Sequence, residues 1–143
     1  MPSSVALNQY RQVKVQTAVT TADPHRLVSM LFEGALEKIR GAKLRIEHQG
    51  SVAEKGELIS GAISIIDALR ASLDKARGGE IAENLDQLYE YMSRRLLEAN
   101  LRNDVKALEE VAFLLHAIEE AWNAIAPRNT APVEPAACIS VGA

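Results

Sequence analysis

The sequence predicts an all-α protein: an antiparallel, up-down-up-down four-helix bundle with a short N-terminal helical segment. Two observations predict this class. Apolar residues recur at steps of three and four residues in four long stretches, which places each set on one face of a helix. The links between these stretches are short, and short links favour antiparallel neighbours. Four amphipathic helices in a chain of 143 residues can bury their stripes only against one another, so we expect a single bundle.

The four apolar stripes define the expected core. We expect all of their residues, the single tryptophan included, to face the other helices. The stripes are Val28, Phe32, Ala35, Ile39, Ala42 and Ile46 in the first helix; Ile59, Ala62, Ile66, Leu69, Leu73 and Ala76 in the second; Ile81, Leu85, Leu88, Met92, Leu96 and Ala99 in the third; and Leu108, Val111, Leu115, Ile118, Trp122 and Ile125 in the fourth.

Helix starts and ends are marked by capping residues. Asp23 can cap the first helix, with Pro24 at its first position, and Ser51 with Glu54 forms a capping box for the second. Gly50 can supply a left-handed end to the first helix. The first helix is expected to end at about His48 and the second at Gly78-Gly79. The third is expected to run from about Ile81 to Arg102. The fourth is expected to begin with Asn103 or Asp104 as its cap, to reach about Ala126 and to stop at Pro127.

The chain is expected to contain one folded domain with two tails. Residues 1–22 are polar and β-branched and read as a mobile segment, with a short helical turn around Leu7 and Tyr10. Residues 23–127 form the bundle. Residues 128–143 are rich in proline and small side chains, which is typical of a disordered tail.

Composition excludes several classes of function. A net charge of −3 argues against non-specific nucleic-acid binding, which needs clustered positive charge. No stretch approaches the roughly 20 apolar residues of a membrane span, so we expect no membrane insertion. The single cysteine, Cys138, allows no intramolecular disulfide, which fits a reducing compartment. We therefore expect a cytoplasmic protein.

Residue patterns for chemistry are also missing. Metal-binding bundles use Glu-x-x-His pairs, but no histidine here follows a glutamate at that spacing. There is no glycine-rich phosphate loop and no Cys-x-x-Cys pair. His116, the one mid-helix histidine, has no nearby cation for a phosphoryl group. We expect no catalytic residues, no cofactor and no metal.

Apolar residues outside the stripes suggest a binding surface. They are Leu27, Leu31 and Leu36 in the first helix; Leu58, Ile63 and Ile65 in the second; and Tyr89, Tyr91, Leu97 and Leu101 in the third. One interpretation is that the core stripes are simply wide. The other is a second apolar groove that receives a partner's amphipathic helices.

Several motifs in order resemble one known family, from about Leu7 to Ala126. They are Tyr10-Arg11, the run Asp23-Pro24-His25-Arg26-Leu27-Val28-Ser29-Met30-Leu31-Phe32-Glu33-Gly34-Ala35, Gly79-Glu80-Ile81-Ala82-Glu83-Asn84-Leu85, Leu88-Tyr89-Glu90-Tyr91-Met92, Ala99-Asn100 and Ala121-Trp122. Together they resemble the flagellin-specific export chaperones, the FliS family. Phe32 departs from the family, which often has tyrosine there.

The resemblance implies a cytoplasmic chaperone that binds the disordered C-terminal segment of flagellin, prevents premature polymerisation and helps deliver it to the flagellar export gate. Leu58, Ile65, Leu97 and Leu101 are the expected contacts on the bundle. Leu7 and Tyr10 are expected to have one of two roles. Either they plug an apolar patch at the edge of the bundle, or, as the resemblance implies, they lie in a mobile segment that covers part of this site and helps contact the gate. The alternative is a helical adaptor domain that binds another amphipathic partner.

Overall fold

The computed structural model describes residues 23–125. Its helices are α1 (Pro24–Glu47), α2 (Val52–Ala71), α3 (Lys75–Arg102) and α4 (Val105–Ala124). No strand occurs in this part of the chain, which confirms the all-α class. The predicted segment 1–22, with Leu7 and Tyr10, and the predicted tail 128–143 lie outside the described residues.

Capping side chains begin the helices as their types dictate. The Asp23 carboxylate accepts the Arg26 backbone N–H at 2.6 Å, and the Ser51 hydroxyl accepts the Glu54 N–H at 3.2 Å. Asp104 does the same for Ala107 at 3.2 Å. Each cap satisfies a backbone donor that the first helical turn leaves unpaired. The predicted starts of α1 and α2 are confirmed, and of the two candidates for α4 the cap is Asp104.

The end of α1 differs from the prediction at one residue. Gln49, not Gly50, adopts the left-handed conformation, with φ of 52°. The Gly50 N–H donates to the Arg45 carbonyl at 2.7 Å, and the Gln49 N–H donates to the Ile46 carbonyl at 3.3 Å. This pair of bonds is a Schellman ending. The prediction for Gly50 was wrong because the turn needs its left-handed residue one position earlier.

The predicted end of α2 was also wrong. The helix stops at Ala71, well before Gly78-Gly79, and the Ser72 hydroxyl donates to the Leu69 carbonyl at 2.7 Å. Asp74 then caps α3 by accepting the Arg77 N–H at 3.1 Å. Two local caps therefore place the turn at residues 72–74. Gly79 instead interrupts α3, with φ of 54° and ψ of −126°, between its first turn and the continuous helix that follows.

Most stripe residues are buried as predicted. The core of the described residues is aliphatic apart from Phe32 and Tyr89. Its large members with under 2% exposure are Phe32, Ile39, Ile59, Ile66, Leu69, Met92, Leu96, Leu108, Val111 and Leu115. The periodic spacing of apolar residues thus identified the inward face of α1, α2 and α4, and of α3 from Met92 onward, whereas earlier in α3 the buried positions lie one residue beyond the predicted ones.

Some core predictions failed near helix ends. Ile81 is 72% exposed and Ile125 is 67% exposed. Ala76 lies beyond the end of α2 and is exposed, and Trp122 is only partly buried. The break at Gly79 sets the register of α3, so that Ala82 takes the buried position next to it. Side chains at the last turn of a helix have fewer neighbours to cover them.

Two residues predicted outside the stripes belong to the core. Leu36 is 3% exposed and Tyr89 is 3% exposed, so the wide-stripe interpretation is right for both. Burial raises the pKa of the Tyr89 phenol to about 12. Asp86, 9% exposed, is also buried, because Arg70 pairs with it.

The described residues divide into two compact units. One holds residues 23–29 and 122–125, where the Ser29 hydroxyl donates to the Asn123 side-chain oxygen at 3.1 Å. The other holds residues 30–121. Within the larger unit, residues further along α1 contact residues earlier in α2, from Gly34 with Ile65 to Arg45 with Glu54. These two helices are therefore antiparallel. The up-down-up-down order of all four helices stays a prediction.

Candidate partner-binding surface

Two leucines on α3 form the most exposed part of the candidate surface. Leu97 is 53% exposed and Leu101 is 83% exposed. Because they are four residues apart, both lie on the same side of the helix. Burying such side chains against a partner is favourable by about 1.5–3 kcal/mol each when burial is complete. This side of α3 is therefore suited to apolar contact.

An ion pair between α2 and α3 shows which side of α2 lies next to these two leucines. The Arg70 Nε donates to the Asp86 carboxylate at 2.5 Å, which joins α2 to α3. Helical spacing puts Asp86 on the same side of α3 as Leu97, and Arg70 on the same side of α2 as Ile63. The leucines of α3 therefore lie beside the Ile63 side of α2. The Arg70 hydrogen bond is also the main cause of the lowered pKa of Asp86.

Three α2 residues continue this surface. Val52 is 75% exposed, and Ile63 is partly buried. Gly56 lies between them on the same side, and a Cβ built there meets no atom within 4 Å. We call Val52, Gly56, Ile63, Leu97 and Leu101 the α2–α3 strip. It combines exposed apolar side chains with open space at a glycine.

The structure places the other two predicted contacts, Leu58 and Ile65, on the opposite side of α2. The Leu58 Cδ1 lies 3.2 Å from the position a Cβ would take at Gly41, and the Ile65 Cδ1 lies 3.4 Å from that position at Gly34. The two side chains thus pack over glycines of α1. Leu58 and Ile65 form one group and Leu97 and Leu101 another, and the structure does not join them in one surface.

A basic pocket adjoins the Val52 end of the strip. Its volume is about 280 Å³, and its lining comprises Arg45, Ile46, Gln49, Gly50, Val52, Lys55 and Asn103. Lys55 is only 7% exposed. Its ammonium donates to the Asn100 carbonyl at 2.9 Å and to the Asn103 side-chain oxygen at 2.6 Å. Both acceptors are neutral oxygens, so neither supplies a negative charge opposite the ammonium.

The boundary between α3 and α4 is polar instead. Glu110 of α4 accepts the Arg95 Nε at 2.7 Å and the Tyr91 hydroxyl at 2.8 Å. Arg95 also donates to Glu98 at 2.7 Å. The hydrogen bonds from Arg95 and then Tyr91 are the main causes that lower the pKa of Glu110. The two sides of α3 therefore differ. Ion pairs and hydrogen bonds cover the side next to α4, whereas exposed apolar side chains cover the side that belongs to the α2–α3 strip.

Two further observations on residues 23–125 concern metal ions and membranes. No group of three histidine, cysteine, aspartate or glutamate side chains there is placed to hold a metal ion. None of the described helices is long and apolar enough to cross a membrane. An all-helical domain with an exposed apolar strip is of the class that acts by binding a partner.

Comparison with known proteins identifies the family. Residues 6–129 match the family model described as flagellar protein FliS. The chain is 53% identical over 129 residues to the flagellar secretion chaperone FliS of Salmonella typhimurium, covering 90% of this chain and 95% of that protein. It is 48% identical over 120 residues to FliSB of Pseudomonas aeruginosa (84% and 94%) and 36% identical over 107 residues to FliS of Bacillus subtilis (75% and 78%).

The chain belongs to the FliS family of flagellar secretion chaperones. The resemblance seen in the sequence motifs is thereby confirmed. The family consists of chaperones, so the prediction that this chain is not an enzyme is confirmed as well. A role in flagellar export follows from the family.

Sequence reasoning missed three features of this surface. Lys55 precedes Ile59 by four residues and so lies on the core stripe of α2, where a lysine is unusual. Gly56 sits inside a helix, where glycine is unfavourable by about 1 kcal/mol relative to alanine. Val52 starts α2 and is exposed. The first two were visible as exceptions to the helical pattern, whereas the exposure of Val52 follows only from packing.

Proposed function

We propose that this chain is a cytoplasmic export chaperone of flagellin. It binds the disordered C-terminal segment of flagellin, prevents premature polymerisation and helps deliver the subunit to the flagellar export gate. The observation that carries the proposal is the α2–α3 strip, whose leucines Leu97 and Leu101 are 53% and 83% exposed. Family membership supports the export role.

The geometry of the strip suits an amphipathic helix. Val52 and Ile63 are separated by eleven residues of α2, which is about 16 Å along the axis at 1.5 Å per residue. This length matches about three turns of a partner helix, with apolar residues at steps of three and four. A disordered segment can fold on such a surface because burial of its apolar face offsets the ordering entropy.

Aspartate substitution of the exposed leucines tests the proposal. Leu97→Asp and Leu101→Asp place a charge where the client's apolar side chains would dock, so each is expected to weaken binding of a flagellin C-terminal fragment at least tenfold. Leu44→Asp is the matched control, since Leu44 of α1 is 50% exposed and lies outside the strip. Isothermal titration calorimetry measures the affinity, and far-ultraviolet circular dichroism checks that each variant folds.

The outcome separates three possibilities. Loss of binding in the two α3 variants but not in Leu44→Asp supports the strip. Equal affinity in all three variants would place the client elsewhere on the domain. A chain that ignores the flagellin fragment, yet captures another amphipathic helix through Leu97 and Leu101, would be the adaptor of the alternative interpretation.

Leu58 and Ile65 stay in the proposal as half-buried contributors to client binding. Aspartate is the wrong probe there, because both side chains pack over glycines of α1. Leu58→Ala and Ile65→Ala are expected to lower stability and to weaken binding modestly. Affinity measured below the melting temperature of each variant separates the two effects.

Leu7 and Tyr10 enter the proposal through the sequence resemblance alone. A segment that covers part of the client site competes with the client, so deletion of residues 1–14 is expected to leave affinity unchanged or to raise it. The same deletion is expected to reduce motility if Tyr10 helps contact the export gate. A large loss of affinity would show that this segment clamps the client instead.

A further inference from the structure

We propose that the basic pocket beside the α2–α3 strip binds an acidic side chain of the client. The inference rests on the proposed function and adds a polar determinant to it. The pocket lies between the end of α1, the start of α2 and the end of α3, with a volume of about 280 Å³. A carboxylate is far smaller, so the volume accommodates the side chain with part of its own helix.

Lys55 has no carboxylate partner among residues 23–125. This ammonium is held by two neutral oxygens, the Asn100 carbonyl at 2.9 Å and the Asn103 side chain at 2.6 Å. A lysine has three N–H donors, and within residues 23–125 the third has no acceptor. A charge buried to this degree is normally paired with an opposite charge. Among the described residues no carboxylate fills that role.

The lining of the pocket carries an excess of positive charge. Arg45 lines the same pocket, and its Nε donates to the Glu54 carboxylate at 3.1 Å. Glu54 therefore balances one of the two cations and leaves the other uncompensated. The remaining guanidinium N–H groups of Arg45 present the planar donor arrangement that binds carboxylates best. Charge thus favours a single anionic group.

Both cations of the pocket are held in place by their neighbours. Gly50 packs on the Arg45 side chain, since a Cβ at residue 50 would lie 3.4 Å from the Arg45 Cγ. Lys55 is fixed by its bonds to the last turn of α3 and the residue after it. A site whose donors are already positioned loses little entropy when it binds.

The position of Val52 indicates where the carboxylate comes from. Val52 lines the pocket and also begins the strip, so the two sites are continuous. An amphipathic helix on the strip would carry an aspartate or glutamate at its edge into the pocket. An acidic side chain of the docked helix is therefore the occupant, rather than the chain terminus of the client or a free anion.

The experiment is a double-mutant cycle with the flagellin C-terminal fragment. Arg45→Gln and Lys55→Gln each remove one positive charge from the pocket. Arg40→Gln is the matched control, because Arg40 lies on the exposed face of the same helix. Each pocket variant is expected to weaken binding about tenfold, equal to about 1.4 kcal/mol, while the control binds like the unaltered chain.

Fragments then identify the carboxylate. Neutralising the acidic side chains one at a time, by Asp→Asn or Glu→Gln, is expected to reveal one whose loss is not additive with Arg45→Gln. Amidation of the fragment's C-terminus is expected to have no effect. A loss of affinity on amidation would instead show that the terminal carboxylate binds in the pocket, and it would overturn the assignment to a side chain.

Two failures remain distinguishable. If the unaltered chain binds the fragment tightly and Arg45→Gln and Lys55→Gln bind equally tightly, the pocket proposal is wrong and the proposed function stands. If the unaltered chain does not bind the fragment, both are wrong. Because Lys55 also holds the end of α3, its variant is compared only after thermal unfolding shows it folded, and Arg45→Gln carries the test otherwise.

Discussion

His25 and Trp122 are joined by a stacked and doubly hydrogen-bonded contact. Their ring centroids lie 4.5 Å apart, with planes inclined by 8°. The His25 Nε2–H donates to the Trp122 carbonyl at 2.8 Å, and the Trp122 indole N–H donates to the His25 carbonyl at 3.0 Å. Each ring thus stacks on the other ring and donates a hydrogen bond to the backbone carbonyl of the other residue. The first turn of α1 and the last turn of α4 are held together in this way.

Removal of this contact should lower stability without removing the optical probe. His25→Ala is expected to cost about 1–3 kcal/mol, since it removes the stacked ring pair and the hydrogen bond from the imidazole to the Trp122 carbonyl, while the Trp122 indole keeps the backbone carbonyl of residue 25 as its acceptor. Urea unfolding followed by the fluorescence of Trp122, the single tryptophan, measures the change. His48→Ala is the control, because His48 is exposed at the end of α1. Equal stability of the two variants would show that the contact contributes nothing.

Gly79 should be intolerant of a side chain. Its φ of 54° and ψ of −126° lie in a region open essentially to glycine alone. Gly79→Ala is expected to cost about 1–3 kcal/mol, because the added Cβ strains the backbone. Thermal unfolding measures the loss.

Gly56→Ala is the matched comparison for Gly79→Ala. Gly56 lies in the regular part of α2, and a Cβ there meets no atom within 4 Å. Alanine should therefore stabilise the domain by about 0.5–1 kcal/mol. A loss at both positions would mean that the difference in backbone conformation does not control the effect.

Glu110 should make the stability of the domain depend on pH in the acidic range. Hydrogen bonds from Arg95 and Tyr91 lower its pKa below the ordinary value of 4.5. A depressed carboxyl pKa means that the stabilisation is complete above about pH 5 and is lost as the pH falls through the folded-state value. The effect should be modest, because the Glu110 side chain is 39% exposed.

Comparison with Glu110→Gln isolates this contribution. At pH 7 the variant should be less stable than the unaltered chain in urea unfolding. As the pH falls below the ordinary value of 4.5, the difference should shrink, because the unaltered chain progressively loses the stabilisation that its carboxylate provides. A constant difference across this range would assign the stabilisation to packing or neutral hydrogen bonding.

Ser93→Ala should be neutral or slightly stabilising. The Ser93 hydroxyl is buried and has no hydrogen-bond partner in the described part of the chain. Removing an unsatisfied polar atom eliminates its desolvation cost. Ser29→Ala is the comparison, because Ser29 donates to Asn123 at 3.1 Å and its loss should cost about 0.5–1.5 kcal/mol. Calorimetric melting of the two variants should rank them in that order.

The sequence by itself determined the class of fold and the inward faces. Spacing at three and four residues identified the buried sides of α1, α2 and α4 and of the second half of α3, and the short-range caps at Asp23 and Ser51 marked two starts. These features depend on residues within one or two turns of each other. Local chemistry decides them, so a linear pattern is enough.

Tertiary structure alone decided which side of each helix meets which neighbour. Leu58 and Leu97 both read as apolar residues outside the stripes, yet Leu58 packs over Gly41 of α1 while Leu97 is 53% exposed. Lys55 of α2 is likewise buried against the end of α3, where its ammonium donates to Asn100 and Asn103, two residues far away in the chain. Helical periodicity gives an angle around one axis. The partner at that angle is set by the register between helices, which depends on long-range packing that no local pattern encodes.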